Sequence, residues 1–156
     1  MPTPAEAPTV HGRTGAWSLH HTGVVVRDLD EAIAQYGRAF GLEVDFLVRD
    51  MDDQFQRTVG VPGVVCDLAQ LTAPFTGTRI ELIEVRGVPA GLPAWMPVHV
   101  GVGHTAYQVR DLDASSAVLA DDGWRPLGEL VEFEEGRAGY FVSRAGTVIE
   151  LEEAWM

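Results

Sequence analysis

One cysteine, Cys66, stands in a chain of 156 residues. No intrachain disulfide can form, and metal clusters held by several thiolates are excluded. Basic side chains are scarce: 11 Lys and Arg face 23 Asp and Glu, a formal net charge of −12 at pH 7. Nucleic-acid backbones are gripped by clustered positive charge, so nucleic acid is excluded as a partner. The negative charge serves solubility instead. No apolar run approaches the length that spans a bilayer. The N-terminus carries three prolines before residue 10 and no apolar stretch, unlike a secretory leader. A cytoplasmic protein without membrane contact is expected. What is present is ordinary: 46% hydrophobic and 22% charged residues, the balance of a globular domain or of two half-modules sharing one core.

The informative feature is repetition. His21-Thr22-Gly23-Val24-Val25-Val26-Arg27-Asp28-Leu29-Asp30 returns 83 residues later as His104-Thr105-Ala106-Tyr107-Gln108-Val109-Arg110-Asp111-Leu112-Asp113. A second echo sets Ile80-Glu81-Leu82-Ile83-Glu84 against Ile149-Glu150-Leu151-Glu152-Glu153. Each copy opens on a His and closes on a Glu. The β-branched run from Trp17 to Val26 reads as a strand. Asp28 and Asp30 offer N-caps to a helix whose inner face carries Ile33, Tyr36, Gly37 and Phe40, with Gly41 at its C-terminus. Leu42–Val48, Val64–Thr72 and Thr78–Val85 read as strands, with residues 49–63 a polar loop holding a short helix through Gln54–Arg57.

The second copy repeats the order. A strand over Val102–Val109 leads to a helix opened by Asp111 or Asp113 and ended by Gly123, with Leu112, Ser116 and Leu119 on its inner face. Strands follow near Trp124–Leu127, Gly139–Ser143 and Thr147–Glu153. The expected organisation is a flexible tail over 1–16, a βαβββ module over 17–86, a Pro/Gly linker over 87–99 and a second βαβββ module over 100–156, an α+β fold. His to Glu spans 60 residues in the first copy and 46 in the second. The extra 14 fall mostly after Val48.

Strand alternation puts His21 on one face and His20 on the other, and only His21 has a partner in the repeat. Glu81 and Glu150 sit mid-strand between Ile and Leu, where an ionised carboxylate is costly unless paired or bound to a cation. Glu84, Glu152 and Glu153, nearer strand ends, need no such explanation. His21, Glu81, His104 and Glu150 therefore form the candidate site. Two imidazoles and two carboxylates suit one divalent ion, Zn, Ni, Co, Mn or Fe, with positions left for water or substrate.

His-Thr-x-x-x-Val-x-Asp-Leu from His21, Ile-Glu-Leu from Ile80, Gly-His-x-Ala from Gly103 and Ile-Glu-Leu from Ile149 are similar in order and rough spacing to the motifs of glyoxalase I. From about Leu19 to Ala154 the chain resembles the vicinal oxygen chelate superfamily. That superfamily includes glyoxalase I, methylmalonyl-CoA epimerase, extradiol dioxygenases and bleomycin-binding resistance proteins. The resemblance implies paired βαβββ modules making a cup-shaped mixed sheet around one metal held by His21, Glu81, His104 and Glu150, and a homodimer.

Glu81 points to the glyoxalase and epimerase branch, a divalent-metal-dependent lyase or isomerase. Such an enzyme removes a proton α to the carbonyl of a small carbonyl or hydroxy-carbonyl substrate and stabilises the resulting enolate. Glu150 or Glu81 serves as base. The alternatives are an Fe(II)-dependent dioxygenase-like enzyme, which needs Glu81 to swing away, and a metal-free protein that binds a drug or metabolite. By resemblance to the epimerase, a third-strand glutamate base has Ala69 as its counterpart. Asp67, on the same strand face, is the candidate substitute, with Gln70 and Cys66 facing away. Tyr107 and Tyr140 are expected to line the cup. The basic residues that coenzyme A recognition calls for are not evident.

Overall fold

Asp28 and Asp111 occupy the same place in the two copies and do the same work. In the computed structural model, which describes residues 17–156, each has extended backbone and caps a helix. The Asp28 carboxylate accepts from the Glu31 N–H at 2.9 Å and starts α1 (Leu29–Phe40). Asp111 accepts from the Ala114 N–H at 2.8 Å and starts α3 (Leu112–Asp121). A second acceptor comes from the sheet in each case. Glu84 takes the Leu29 N–H at 2.7 Å and Glu153 takes the Leu112 N–H at 2.8 Å. Both helix starts thus have two of their four unpaired N–H groups satisfied by anions at the positive end of the helix dipole. The tail expected over residues 1–16 lies outside the described residues.

The strands are β1 (Ser18–Val26), β2 (Glu43–Met51), β3 (Val65–Thr72), β4 (Arg79–Arg86), β5 (Gly103–Gln108), β6 (Arg125–Pro126), β7 (Val131–Glu132), β8 (Gly136–Val142) and β9 (Val148–Ala154), with α2 (Asp53–Val59) between β2 and β3. They form one mixed sheet in the order β2-β3-β4-β1-β5-β9-β8-β6, with β7 also paired to β8. β1 is parallel to β4, β5 is parallel to β9, and β1 meets β5 antiparallel at the centre. Nine strands with few helices make an α+β architecture.

Three differences from the sequence reading stand out. β2 runs on to Met51, and the short helix expected over Gln54–Arg57 is present and longer, as α2 (Asp53–Val59), so the loop is shorter than expected. Phe40 is 69% exposed rather than inward, because α1 buries Leu29 and Ala32 and its last turn, closed by Gly41 at φ 66°, stands clear of the core. Residues 136–138, ahead of the strand expected over Gly139–Ser143, already belong to β8.

Alternation along the strands divides the core. On the outer face, α1 packs Leu29 and Ala32 against Ala69, Leu71 and Leu82, while α3 packs Leu112 and Leu119 against Phe141, Ile149 and Leu151. Each fully buried Leu contributes about 1.5–3 kcal/mol. The inner face is different. Phe55 and Val59 of α2, Met96 and Val98 of the linker, Cys66, Ile83, Tyr140, Val142 and Val148 form one cluster there. That cluster fills one end of the cup. No helix among the described residues is long and apolar enough to cross a membrane.

Candidate metal centre

The central strand pairing assembles the candidate site. Gly23 lies opposite His104 and His21 opposite Ala106 across β1 and β5. One strand further out on each side, Glu81 is level with Gly23 and Glu150 with Ala106. All four side chains point inward and are buried. Gly23 is part of the construction. A Cβ there would stand 2.0 Å from His104 Cε1 and 2.5 Å from its Nε2, so only glycine lets the imidazole lie across the strand.

The ligand-type atoms converge. His21 Nε2 lies 3.3 Å from His104 Nε2, 3.4 Å from Glu150 Oε2 and 3.6 Å from Glu81 Oε1. His104 Nε2 lies 3.3 Å from Glu150 Oε2 and 3.8 Å from Glu81 Oε1. Four donors on a tetrahedron about a first-row ion, at bonds of about 2.0–2.2 Å, stand about 3.3–3.6 Å apart. Glu150 Oε2 is buried and has no hydrogen-bond partner, an orphan that buried oxygens rarely remain. The donor set and its spacing fit a divalent cation.

Charge alone makes a strained alternative. Burial works to lower the His21 pKa, but Glu150 and Glu81 outweigh it and push the imidazole up to about 11. Burial works to raise Glu150, but His104 and His21 outweigh it and hold the carboxyl down at about 2. Without metal the site keeps a proton that a cation would displace. Tyr140 stacks edge-on against His104, with ring centroids 5.0 Å apart. Burial first, then Glu150 and Glu81, raise its hydroxyl well above the usual phenol range, so Tyr140 remains an O–H donor beside the site.

Of the three pocket candidates, Tyr140 is at the site and the other two are not. Asp67 points to the outer face, where Arg86 at 3.0 Å, the Asp50 N–H at 2.9 Å and Arg49 at 2.9 Å hold it. Arg86 foremost, then the Asp50 N–H and Arg49, keep its carboxyl well below the usual range against the effect of burial. The inward residues of β3 are Cys66, Leu68 and Gln70, the reverse of the expected assignment, with Gln70 buried opposite Glu81. Tyr107 points outward because His104 and Ala106 take the inward positions, and it packs with the α3 cluster. A cavity of about 500 Å³ lined by Gln35, Tyr36, Arg38, Ala39 and Phe40 lies on α1, which packs on the outer face, and it holds no carboxylate, imidazole or thiol.

His20 also departs from expectation. A register shift between Leu19 and His21 makes His20 a bulge residue, and a bulge re-aims its side chain. Its Nδ1 sits 3.0 Å from His21 Nδ1 and 2.9 Å from Glu152 Oε2. The adjacent His pair and the Glu-Leu-Glu-Glu run were the signals available; alternation misread both.

The pattern that describes the Glyoxalase/Bleomycin resistance protein/Dioxygenase superfamily matches residues 20–143. A 2-epi-5-epi-valiolone epimerase from Actinomyces sp. is 28% identical over 151 residues, covering 92% of this chain and 82% of that protein. Among solved structures, methylmalonyl-CoA epimerase from Mycobacterium tuberculosis is similar at a TM-score of 0.60 and 24% identity, with 88% of each chain covered. The Streptomyces coelicolor methylmalonyl-CoA epimerase in complex with 2-nitronate-propionyl-CoA is similar at 0.63 and 22%, covering 88% of this chain and 97% of that one. These two structures share the fold. With the sheet order and the family match in agreement, the chain belongs to the glyoxalase/bleomycin resistance/dioxygenase, or vicinal oxygen chelate, superfamily.

Proposed function

We propose that the protein is a divalent-metal-dependent isomerase that removes and returns the proton α to the carbonyl of a small hydroxylated compound. The observation that carries this reading is the buried His21, Glu81, His104 and Glu150 quartet, with Glu81 retained beside the triad that iron-dependent oxygen chemistry would use. Isomerisation is favoured over a lyase reaction because the named relatives are epimerases.

These four residues would hold the ion, which when bound supplies the Lewis-acid charge that an enolate oxygen requires. The sequence contains no lysine, so neither an ammonium group nor a Schiff base offers a substitute. Glu81 and Glu150 come from different halves of the chain and flank the histidine pair from opposite sides. One carboxylate takes the α-proton, breaking C–H and forming O–H. Delivery of a proton from the other side of the same carbon inverts its configuration. The apolar cluster beneath the site excludes water from this exchange. Tyr140, whose ring lies against His104 and whose hydroxyl stays protonated, would serve as a donor to a substrate oxygen.

The polar residues at the open end favour a neutral hydroxylated substrate. His20 and Glu152 pair with each other there. Arg49, Arg86 and Arg137 are tied to acidic partners on the outer face. The exposed arginines without an ion-pair partner among the described residues are Arg27, Arg38, Arg79, Arg110, Arg125 and Arg144. They are scattered over α1, turns and strand ends and make no cluster of the kind the several negative charges of a coenzyme A thioester would call for. Proton NMR in D₂O tests the reading: polyhydroxylated ketones are expected to lose the α-proton signal with enzyme and metal, and to keep it with chelator or with Glu150→Gln. Exchange that survives chelator, or oxygen uptake in place of exchange, overturns it.

A further inference from the structure

We infer that Glu152 is a positioning residue for His21, acting through the Nδ1 edge of the imidazole, with the bulged His20 as its second partner. This rests on the metal reading above, in which His21 binds through Nε2. That binding uses the Nε2 lone pair, so the ring proton is on Nδ1. Two groups face Nδ1: His20 Nδ1 at 3.0 Å and Glu152 Oε1 at 3.7 Å. His20 Nδ1 is itself 2.9 Å from Glu152 Oε2, a charge-assisted bond that requires the His20 proton on that nitrogen. His20 then has no lone pair left to accept from His21. With both Nδ1 atoms protonated, both N–H groups turn to the Glu152 carboxylate, one to each oxygen, and His21 rotates to shorten the 3.7 Å contact and to part from the His20 N–H that now stands 3.0 Å from its own.

The second module lacks this device. Two residues beyond the ligand glutamate, the first copy has Ile83 and the second has Glu152; one residue before the ligand histidine stand His20 and Gly103. Glu152 stands level with Gln108 of β5, and His21 level with Ala106, so the Glu152 side chain reaches diagonally across β5 past the small Ala106. His104 is instead fixed by packing, with Gly23 beneath its ring and Tyr140 against it. The two histidines are therefore held by different means, one by shape and one by a carboxylate at the mouth of the cup. Glu152 and His20 side chains are 25% and 21% exposed, so the relay sits where an entering substrate meets the site.

The test uses the full chain, with Zn²⁺ affinity measured by competition against a chromogenic chelator. Glu152→Leu is expected to weaken Zn²⁺ binding by about 10–100-fold, and Glu152→Gln, which keeps an acceptor oxygen, by less. A second measurement does not need metal. The His21 Nδ1 proton is expected as a downfield, slowly exchanging NMR signal in zinc-free protein, lost in Glu152→Leu and kept in Glu152→Gln. Unchanged Zn²⁺ affinity in Glu152→Leu, or a downfield signal that survives it, overturns the inference. If wild type and His21→Ala alike take up no Zn²⁺, the metal reading falls, and the Nδ1 signal still decides the role of Glu152.

Discussion

Replacing Gly23 with alanine tests the construction of the site through a single methyl group. The new Cβ would stand 2.0 Å from His104 Cε1, 2.5 Å from Nε2 and 2.7 Å from Nδ1. Restoring ordinary contact requires the imidazole to retreat by about 1.4 Å, far beyond the about 0.2 Å within which a metal–nitrogen bond is maintained. The backbone at Gly23 is an ordinary strand, so nothing else in the residue opposes the change. The ring is hemmed in by Tyr140 on its other side, and overpacking of this kind costs about 1–3 kcal/mol. Two outcomes follow. Zn²⁺ affinity in Gly23→Ala is expected to fall to the level of His104→Ala, while Thr22→Ala, an exposed neighbour, binds as wild type does. Urea unfolding is expected to show Gly23→Ala destabilised alone but nearly neutral in a His104→Ala background, a positive coupling in a double-mutant cycle. Wild-type Zn²⁺ affinity in Gly23→Ala, with His104→Ala weakened, would refute the reasoning.

Three further outcomes are expected. Metal should stabilise the fold: at a free Zn²⁺ concentration of 100 times Kd, unfolding should cost about 2.7 kcal/mol more than in chelator, a gain that Glu81→Ala reduces, read from urea curves with and without metal. Asp67 has a depressed carboxyl, so its contribution is fully present above its unfolded value near 3.8 and is lost as pH falls through the lower folded value. Asp67→Asn should therefore be less stable than wild type at pH 7, and the gap should close on acidification below about pH 4; a gap independent of pH speaks against the Arg49–Asp67–Arg86 cluster. Glu84→Ala and Glu153→Ala should each cost about 1 kcal/mol through the helix starts, by matching amounts in thermal melts and with Zn²⁺ affinity unchanged.

The parts that could be read in the sequence were those the repeat states twice. Asp28 and Asp111, Leu29 and Leu112, and the four site residues each occur at equivalent places in both copies, and local chemistry explains each one: a capping carboxylate, a buried apolar side chain, an ionisable group where none should be without a partner. The misreadings share a cause as well. Alternation gave β3 two faces correctly but could not say which one turned inward, so Asp67 and Gln70 exchanged places. Tyr107 failed for the same reason. His20 was misread because a bulge breaks alternation locally, and only the pairing of β1 with β5 reveals it. Gly23 drew no notice, since the reason for a glycine there is a ring contributed from 81 residues further along the chain.

The departures from repetition say more about function than the repetition does. β1 and β5 run antiparallel, and Glu81 and Glu150 each lie on a strand parallel to their own module's first strand. Exchanging the two modules therefore exchanges the two ends of the cup, and an undiverged duplication would leave both ends alike. This chain fills one end. Ile83, two residues past Glu81, joins Phe55, Val59, Cys66 and Met96 in the apolar cluster, and the helix that supplies Phe55 and Val59 lies in the stretch by which the first copy exceeds the second. At the other end Glu152, two residues past Glu150, keeps a charge and meets His20. On the proposed metal reading, the closed end would provide the dry, low-dielectric floor in which two carboxylates and two imidazoles bind a cation strongly, and the open end would be the approach for a substrate. Duplication accounts for two imidazoles and two carboxylates meeting at a point; the loss of symmetry around them gives that point a direction.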